Sequence, residues 1–260
     1  MYRGFNLALR PIPDWLRLHR RVGETIHREH KQKVKSSLDE HTNQMGVIDG
    51  STLQQDWFPE IGADVFISHS RKDQDIAFAL AGWLGQEMKL KPFVDSAVWR
   101  YGDNLLRNLD DAYCYDEDTR TYRYEDRNKT TAHVHMMLAT ALTKMIDKSE
   151  CLIFLNTPGS VTKKNATSTT HSPWLFAELE IARTIRRRCS RKTAKYADRN
   201  FSTQLQEGVR VSYDVSSQLA ALSSLDADDL TNWKNWLFSL GDAQSALDGL
   251  YMLKPVSNNQ

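Results

Sequence analysis

Short apolar runs separated by helical patterns constrain the fold of this chain more than any other feature. The runs within residues 64–68 (Asp-Val-Phe-Ile-Ser) and 151–155 (Cys-Leu-Ile-Phe-Leu) have the length and composition of buried parallel strands. Residues 91–95 form a third run, whose proline is tolerated at the start of a strand. Apolar positions at helical spacing lie between these runs, beginning with Ile76, Leu80, Trp83 and Leu84. Because strands that alternate with helices favour βαβ units, we predict an α/β fold with a flavodoxin-like open parallel sheet.

Further segments extend this domain over residues 61–245. We predict a helix containing residues 137–146, a helix that starts at Ser172-Pro173, a strand over residues 209–215 and a helix over residues 228–240. Residues 114–131 are strongly polar and lack a core pattern, so we predict a surface insertion there. Residues 246–260 are expected to be a C-terminal tail.

The first 60 residues have a different pattern and are expected to lie outside the sheet. Asp14 is a plausible N-cap, and apolar positions from Trp15 to Leu38 then recur at roughly helical spacing on a basic and polar background. This pattern predicts an N-terminal helical extension, residues 1–60, that packs on the main domain or on a partner chain.

The composition narrows the classes of function. The chain is 40% hydrophobic and 26% charged with a formal net charge of +1, so it has no overall attraction to nucleic acid or to an anionic membrane. No apolar run approaches the ~20 residues of a membrane span. The three cysteines lack metal-ligand spacing and the start of the chain lacks an apolar signal region. We therefore predict a cytoplasmic protein with no metal site. A basic run at residues 183–192 is explained by solvation and the helix dipole, so we expect no nucleic-acid partner.

Three segments in order resemble the TIR (Toll/interleukin-1 receptor) family. Residues 64–73 (DVFISHSRKD) resemble its first strand and the loop that follows. Residues 93–96 (FVDS) with 102–105 (GDNL) resemble its second strand and BB loop, and residues 172–179 (SPWLFAEL) resemble its Ser-x-Trp-x-x-x-Glu-Leu segment. The resemblance covers about residues 62–240 and is interrupted by the 114–131 insertion.

The resemblance implies an enzyme that cleaves NAD⁺ at the nicotinamide–ribose bond. The essential glutamate of the family then corresponds to Glu178. The implied substrate-binding residues are Ser68, His69, Ser70, Arg71, Asp95, Trp99, Asp103, Asn104 and Trp174. NAD⁺ is a substrate in this scheme, so no separate cofactor is expected. Bacterial members of this kind, such as the TIR component of Thoeris anti-phage systems, imply self-association through TIR surfaces and a downstream effector that senses the nucleotide product.

The chemistry of these residue types fits that expectation. Ser172 can cap the helix and Pro173 suits its first position, which places Trp174 and Glu178 four residues apart on one face. Nicotinamide leaves as a neutral molecule, so a glycosidic cleavage here needs no general acid. One carboxylate can stabilise the positive charge that develops on the ribose. We expect Glu178 at a partly exposed position, and His69 as a loop residue with no carboxylate partner evident from the sequence.

Two alternatives remain open at this stage. Many adaptor TIR domains are scaffolds without activity, so the chain is alternatively a non-catalytic interaction module. A nucleoside deoxyribosyltransferase-like N-glycosidase also pairs a carboxylate with a ribose. The product of NAD⁺ cleavage, whether ADP-ribose, a cyclic isomer or a conjugate, depends on the attacking nucleophile.

Overall fold

The computed structural model describes residues 3–32, 41–42, 47–164, 167–185, 211–240 and 246–255. The elements in chain order are β1 (Arg3–Leu7), α1 (Asp14–Arg17), α2 (Arg20–Lys31), α3 (Gly50–Trp57), β2 (Val65–Ser68), α4 (Gln74–Gln86), β3 (Pro92–Val94), α5 (Ser96–Tyr113), β4 (Tyr115–Asp116), β5 (Thr121–Tyr122), α6 (Tyr124–Lys148), β6 (Cys151–Leu155), β7 (Thr162–Lys164), β8 (Thr167–Thr170), α7 (Pro173–Thr184), β9 (Tyr213–Asp214), α8 (Ser216–Ala220), β10 (Ser223–Leu225), α9 (Ala227–Leu240) and α10 (Ala246–Leu253).

The central sheet has five parallel strands in the order β10-β1-β6-β2-β3. In the flavodoxin-like arrangement 2-1-3-4-5, each number gives a strand's order along the chain. If β2 is counted as the first strand, then β3, β2 and β6 occupy the positions of strands 2, 1 and 3, and β10 occupies the position of strand 5. The remaining place is filled by β1, from the start of the chain. The predicted α/β architecture with an open parallel sheet is therefore confirmed.

The place of β1 corrects the expectation that residues 1–60 lie outside the sheet. Phe5 pairs with Ile153 on β6 and with Ser223 on β10, so β1 is an interior strand. Phe5 and Leu7 are fully buried, while the buried Arg3 donates to Ser223 Oγ at 2.9 Å. The strand was missed because Arg3, Gly4 and Asn6 interrupt its apolar pattern. The predicted long helix is instead two helices, α1 and α2, and the part of the prediction beyond Gln32 lies largely outside the described residues.

Two hydrophobic cores cover the two faces of the sheet. Phe66, Phe93, Leu152 and Phe154 pack against a layer formed by α3, α5, α6, α7 and α8. Val65, Ile67, Val94 and Ile153 pack on the other face, where the second layer is formed by α1, α4, α9 and α10. The helix α2 packs on α4. Alternate residues of each strand thus point to opposite faces. Ser68, two residues after Phe66, is placed on the α7 face by this alternation.

The 114–131 segment, expected to be a surface insertion, forms the β4–β5 hairpin and the first two turns of α6, and most of its residues are exposed. Three other local expectations need correction. The predicted BB loop at residues 102–105 is helical, because α5 begins at Ser96, one residue after β3 ends. The described part of the strand predicted at 209–215 is only β9, which belongs to a small antiparallel sheet, β7-β8-β9. The predicted tail contains α10, whose Leu247 and Leu250 are buried and whose Ala246 carbonyl accepts a 2.6 Å hydrogen bond from Trp233 Nε1.

Within the described residues, no helix combines the length and hydropathy that a membrane crossing requires. Within the same ranges, no group of three or more His, Cys, Asp or Glu side chains is arranged to hold a metal ion.

Candidate functional site

Glu178 is held in place by the start of α7 and by the end of β2. Ser172 caps α7, since its Oγ accepts a hydrogen bond from the Leu175 amide at 3.3 Å, and Pro173 occupies the first helical turn, as predicted. Glu178 therefore lies on the second turn, facing the sheet between the buried Leu175 and Leu179. The Ser68 hydroxyl, at the carboxyl end of β2, donates to Glu178 Oε2 at 2.5 Å.

A second buried pair, His69 and Asp95, adjoins Glu178. Asp95 directly follows β3 and is 1% exposed. Its Oδ2 accepts a 3.2 Å hydrogen bond from the His69 amide, and its Oδ1 contacts His69 Nδ1. Both residues were expected to bind substrate, but their pairing was not evident from the sequence, because 26 positions separate them in the chain. The parallel pairing of β2 with β3 brings them together.

The electrostatics of this cluster favour the protonated form of Glu178. Burial raises the pKa of the Glu178 carboxyl well above its usual range, and the negative charge of Asp95 raises it further, while the hydrogen bond from Ser68 opposes both effects. The cluster Ser68–His69–Asp95–Glu178 is therefore a set of buried polar groups with an elevated carboxyl pKa, which is an arrangement often found at functional sites.

The cluster lies where this kind of sheet binds ligands. In an open parallel sheet, ligands occupy the crevice beyond the carboxyl ends of the strands where the strand order reverses. In this chain the order reverses between β2 and β6, and Ser68 is the last residue of β2. Glu178 is 0% exposed, however, so the expectation of a partly exposed carboxylate is wrong. A ligand reaches the carboxyl only when the groups around it separate.

Two other buried residues, in the loops that follow β2 and β6, were given no role from the sequence. Asp73 accepts a 2.5 Å hydrogen bond from Thr157 Oγ1, which joins the turn after β2 to the loop after β6. Gly159 belongs to the same contact, because a Cβ at its position would lie 2.9 Å from Asp73 Oδ2. An Asp in a polar loop and a Thr near a Gly are common in turns, so their pairing gave no signal in the sequence.

The remaining proposed substrate-binding residues whose side chains are described do not join the buried cluster. Arg71 and Asp103 form an ion pair with each other at 3.1 Å, and both side chains are exposed. Ser70 caps the short 3-10 turn at residues 71–73, and Asn104 is exposed on α5. Trp174 is half-buried and packs edge-on against His135, with ring centroids 5.4 Å apart. Trp99 belongs to α5, but its side chain lies outside the described part of the chain.

A separate open cavity of about 260 Å³ lies between α5, the β4–β5 hairpin and α6. Its lining is polar and includes Asp103, Arg107, Asp110, Tyr122 and Arg127. Within this lining Arg127 Nε donates to Asp110 at 2.9 Å, and the guanidinium lies 5.4 Å from the centre of the Tyr122 ring. Among the predicted binding residues with described side chains, Asp103 alone borders this cavity.

Comparisons with protein-family models, with curated proteins and with solved structures found no match to this chain. The residues of the buried cluster and their position at the sheet edge are therefore the basis for assigning a function.

Proposed function

We propose that this protein is an NAD⁺-processing enzyme of the TIR kind that breaks the bond between nicotinamide and ribose, with Glu178 as the catalytic carboxyl. The observation that carries the proposal is the hydrogen bond from Ser68 to Glu178, which holds the carboxyl among buried polar groups at the carboxyl ends of β2 and β3. A position at the reversal of strand order is the usual place for a ligand in this sheet architecture.

The chemistry needs one carboxylate in the right place. Nicotinamide is attached to ribose as a pyridinium and leaves neutral, so its departure requires no proton donor. The ribose develops positive charge as the bond breaks, and an ionised Glu178 stabilises that charge more strongly in a dry site than in water. Bound substrate brings a pyridinium cation next to Glu178, which favours loss of the carboxyl proton.

A non-catalytic interaction module is the second candidate, and one observation favours it. Glu178 has no exposed surface in this structure, whereas catalysis requires contact between the carboxyl and the ribose. The first candidate therefore includes a movement that exposes the Glu178 carboxyl to the substrate.

The wider role follows from the same resemblance. We propose a cytoplasmic enzyme of bacterial anti-phage defence that self-associates through its TIR surfaces and whose nucleotide product is sensed by a separate effector.

Product analysis by mass spectrometry separates these candidates. Purified protein is incubated with NAD⁺ in one reaction and with a mixture of deoxynucleosides and free bases in another. Release of nicotinamide together with ADP-ribose, a cyclic isomer or a conjugate supports the NAD⁺ enzyme. Exchange of bases between deoxynucleosides indicates a deoxyribosyltransferase. No turnover in either reaction, with the protein folded, supports the interaction module.

A further inference from the structure

His69 Nε2 is a buried polar atom of the Ser68–His69–Asp95–Glu178 cluster with no hydrogen-bond partner within the described residues. The neighbouring atoms His69 Nδ1 and Asp95 Oδ1 contact each other, and the side chain of Asp95 is also hydrogen-bonded to the Glu178 carboxyl. The His69 side chain is 1% exposed, so bulk water does not satisfy Nε2 either. Buried groups of this kind are normally paired, and exceptions are concentrated at sites that bind or transform a ligand. Asp95 thus links the unpaired imidazole nitrogen to the carboxyl of Glu178.

We propose that His69 is a second catalytic residue, the general base that accepts a proton from the water molecule attacking the ribose. This inference rests on the proposed function, since it assigns the nucleophile-activating role in the same cleavage. The two residues then have different roles: Glu178 stabilises the developing cation, and His69 Nε2 accepts a proton from the attacking oxygen.

The contacts of Asp95 suit His69 for that role. Asp95 Oδ1 contacts His69 Nδ1, which selects the tautomer carrying its hydrogen on Nδ1 and leaves a lone pair on Nε2. The second carboxylate oxygen accepts from the His69 amide at 3.2 Å and so fixes the backbone and the ring together. A carboxylate that orients a histidine and stabilises its protonated form is the same relationship that activates serine hydrolases.

The step balances with water as the only co-reactant. The oxygen of water forms a bond to ribose C1′ as the bond from C1′ to the pyridinium nitrogen breaks, and the bonding pair leaves with that nitrogen as neutral nicotinamide. The water proton passes to His69 Nε2, and the resulting imidazolium is stabilised by Asp95. ADP-ribose leaves with the new hydroxyl, and the histidine returns its proton to solvent.

A competition between hydrolysis and base exchange tests the inference. A pyridine base such as 3-acetylpyridine attacks C1′ through a nitrogen that carries no proton, so exchange needs Glu178 but needs no general base. The His69→Asn variant keeps an amide near Asp95 and removes the atom at the Nε2 position. We expect hydrolysis to fall by about 10²–10⁴-fold, the usual contribution of a general base, while base exchange continues near the wild-type rate. His133→Asn, at an exposed histidine on α6, is the matched control and should leave both reactions unchanged.

A measurement on the wild-type protein keeps the test independent of the variant's folding. In D₂O, hydrolysis should slow relative to exchange, because a proton moves only in the hydrolytic step. Equal loss of hydrolysis and exchange in His69→Asn, or an unchanged ratio in D₂O, overturns the role of His69 while leaving the NAD⁺ activity in place. Turnover that yields only products of nitrogen attack also overturns it. Absence of any nicotinamide release by the wild-type protein contradicts the proposed function and this inference with it.

Discussion

Gly23 on α2 and Gly82 on α4 face each other where the two helices cross at backbone contact. A Cβ at Gly23 would lie 1.8 Å from the Phe78 carbonyl oxygen, and a Cβ at Gly82 would lie 2.0 Å from the carbonyl oxygen of His19. Because both obstacles are main-chain atoms, a side chain at either position forces the helices apart. The crossing therefore binds the N-terminal segment tightly to the rest of the domain.

Alanine at either crossing position should destabilise the protein. We expect Gly23→Ala and Gly82→Ala each to lower the free energy of unfolding by at least ~1–3 kcal/mol, the range typical of overpacked cores. Gly62→Ala is the control, because a Cβ there meets nothing within 4 Å. Urea unfolding monitored by circular dichroism measures all three. Gly82→Ala with wild-type stability would show that the helices do not approach as closely as described.

Removal of residues 1–55 should unfold the domain. The deletion takes away β1, which lies between β6 and β10, and with it α1 and α2. The two separated parts of the sheet then have unpaired edges and an uncovered apolar face, which favours aggregation. Circular dichroism and size-exclusion chromatography of the truncated protein test this. A monomeric truncation with the wild-type spectrum contradicts the assignment of β1 to the sheet.

Leu16 and Leu18 provide a finer test of the same segment. Leu16 is fully buried and Leu18 is 81% exposed, although they are two residues apart. We expect Leu16→Ala to lower the free energy of unfolding by about 2–5 kcal/mol and Leu18→Ala to change it by less than ~0.5 kcal/mol. Equal effects in thermal or urea unfolding would mean that the segment is packed differently.

The buried Glu178 should make stability depend on pH. Its raised pKa means that the folded protein keeps the carboxyl proton at pH values where the unfolded chain, with a pKa near 4.5, has lost it. The free energy of unfolding therefore falls as pH rises from about 4.5 toward the folded pKa. Glu178→Gln removes this dependence. We expect its melting temperature to exceed that of the wild type at pH 8, and the difference to shrink at pH 5.

A substitution at a surface carboxyl is the control for that difference in melting temperature. Each kcal/mol corresponds to ~2–4 °C for a domain of this size. Glu125→Gln, at an exposed position on α6, makes the same chemical change in water and should melt with the wild type at both pH values. A Glu178→Gln variant that melts below the wild type at pH 8 contradicts a protonated Glu178 in the folded protein.

The sheet was predictable from the sequence where strands were continuously apolar, and it was missed where they were not. The strand at residues 64–68 and that at 151–155 have such runs, as does the helix capped by Ser172, and each appears as expected. β1 carries Arg3 and Asn6, and its burial depends on partners that are more than 140 residues away. Local pattern does not encode such partners.

Part of the candidate site was also predictable from the sequence. Ser68, His69 and Asp95 follow predicted parallel strands at their carboxyl ends, so the sheet topology alone places them near one edge. The contact between His69 and Asp95 depends on strand register, and the full burial of Glu178 depends on how α7 packs. Arg71 and Asp103, which the resemblance implied as substrate-binding residues, instead form an ion pair with each other at the surface.

The most direct test of the central claim is nicotinamide release from NAD⁺ by the wild-type protein and by Glu178→Gln, with Glu125→Gln as the control. Removing a group that stabilises developing charge costs about 3–4 kcal/mol of barrier, a rate loss of about 10²–10³-fold. We therefore predict release by the wild type and by Glu125→Gln, and a loss of at least that size in Glu178→Gln, whose circular dichroism spectrum stays native. Equal release by all three proteins, or a folded wild-type protein that releases no nicotinamide, would contradict the role assigned to Glu178.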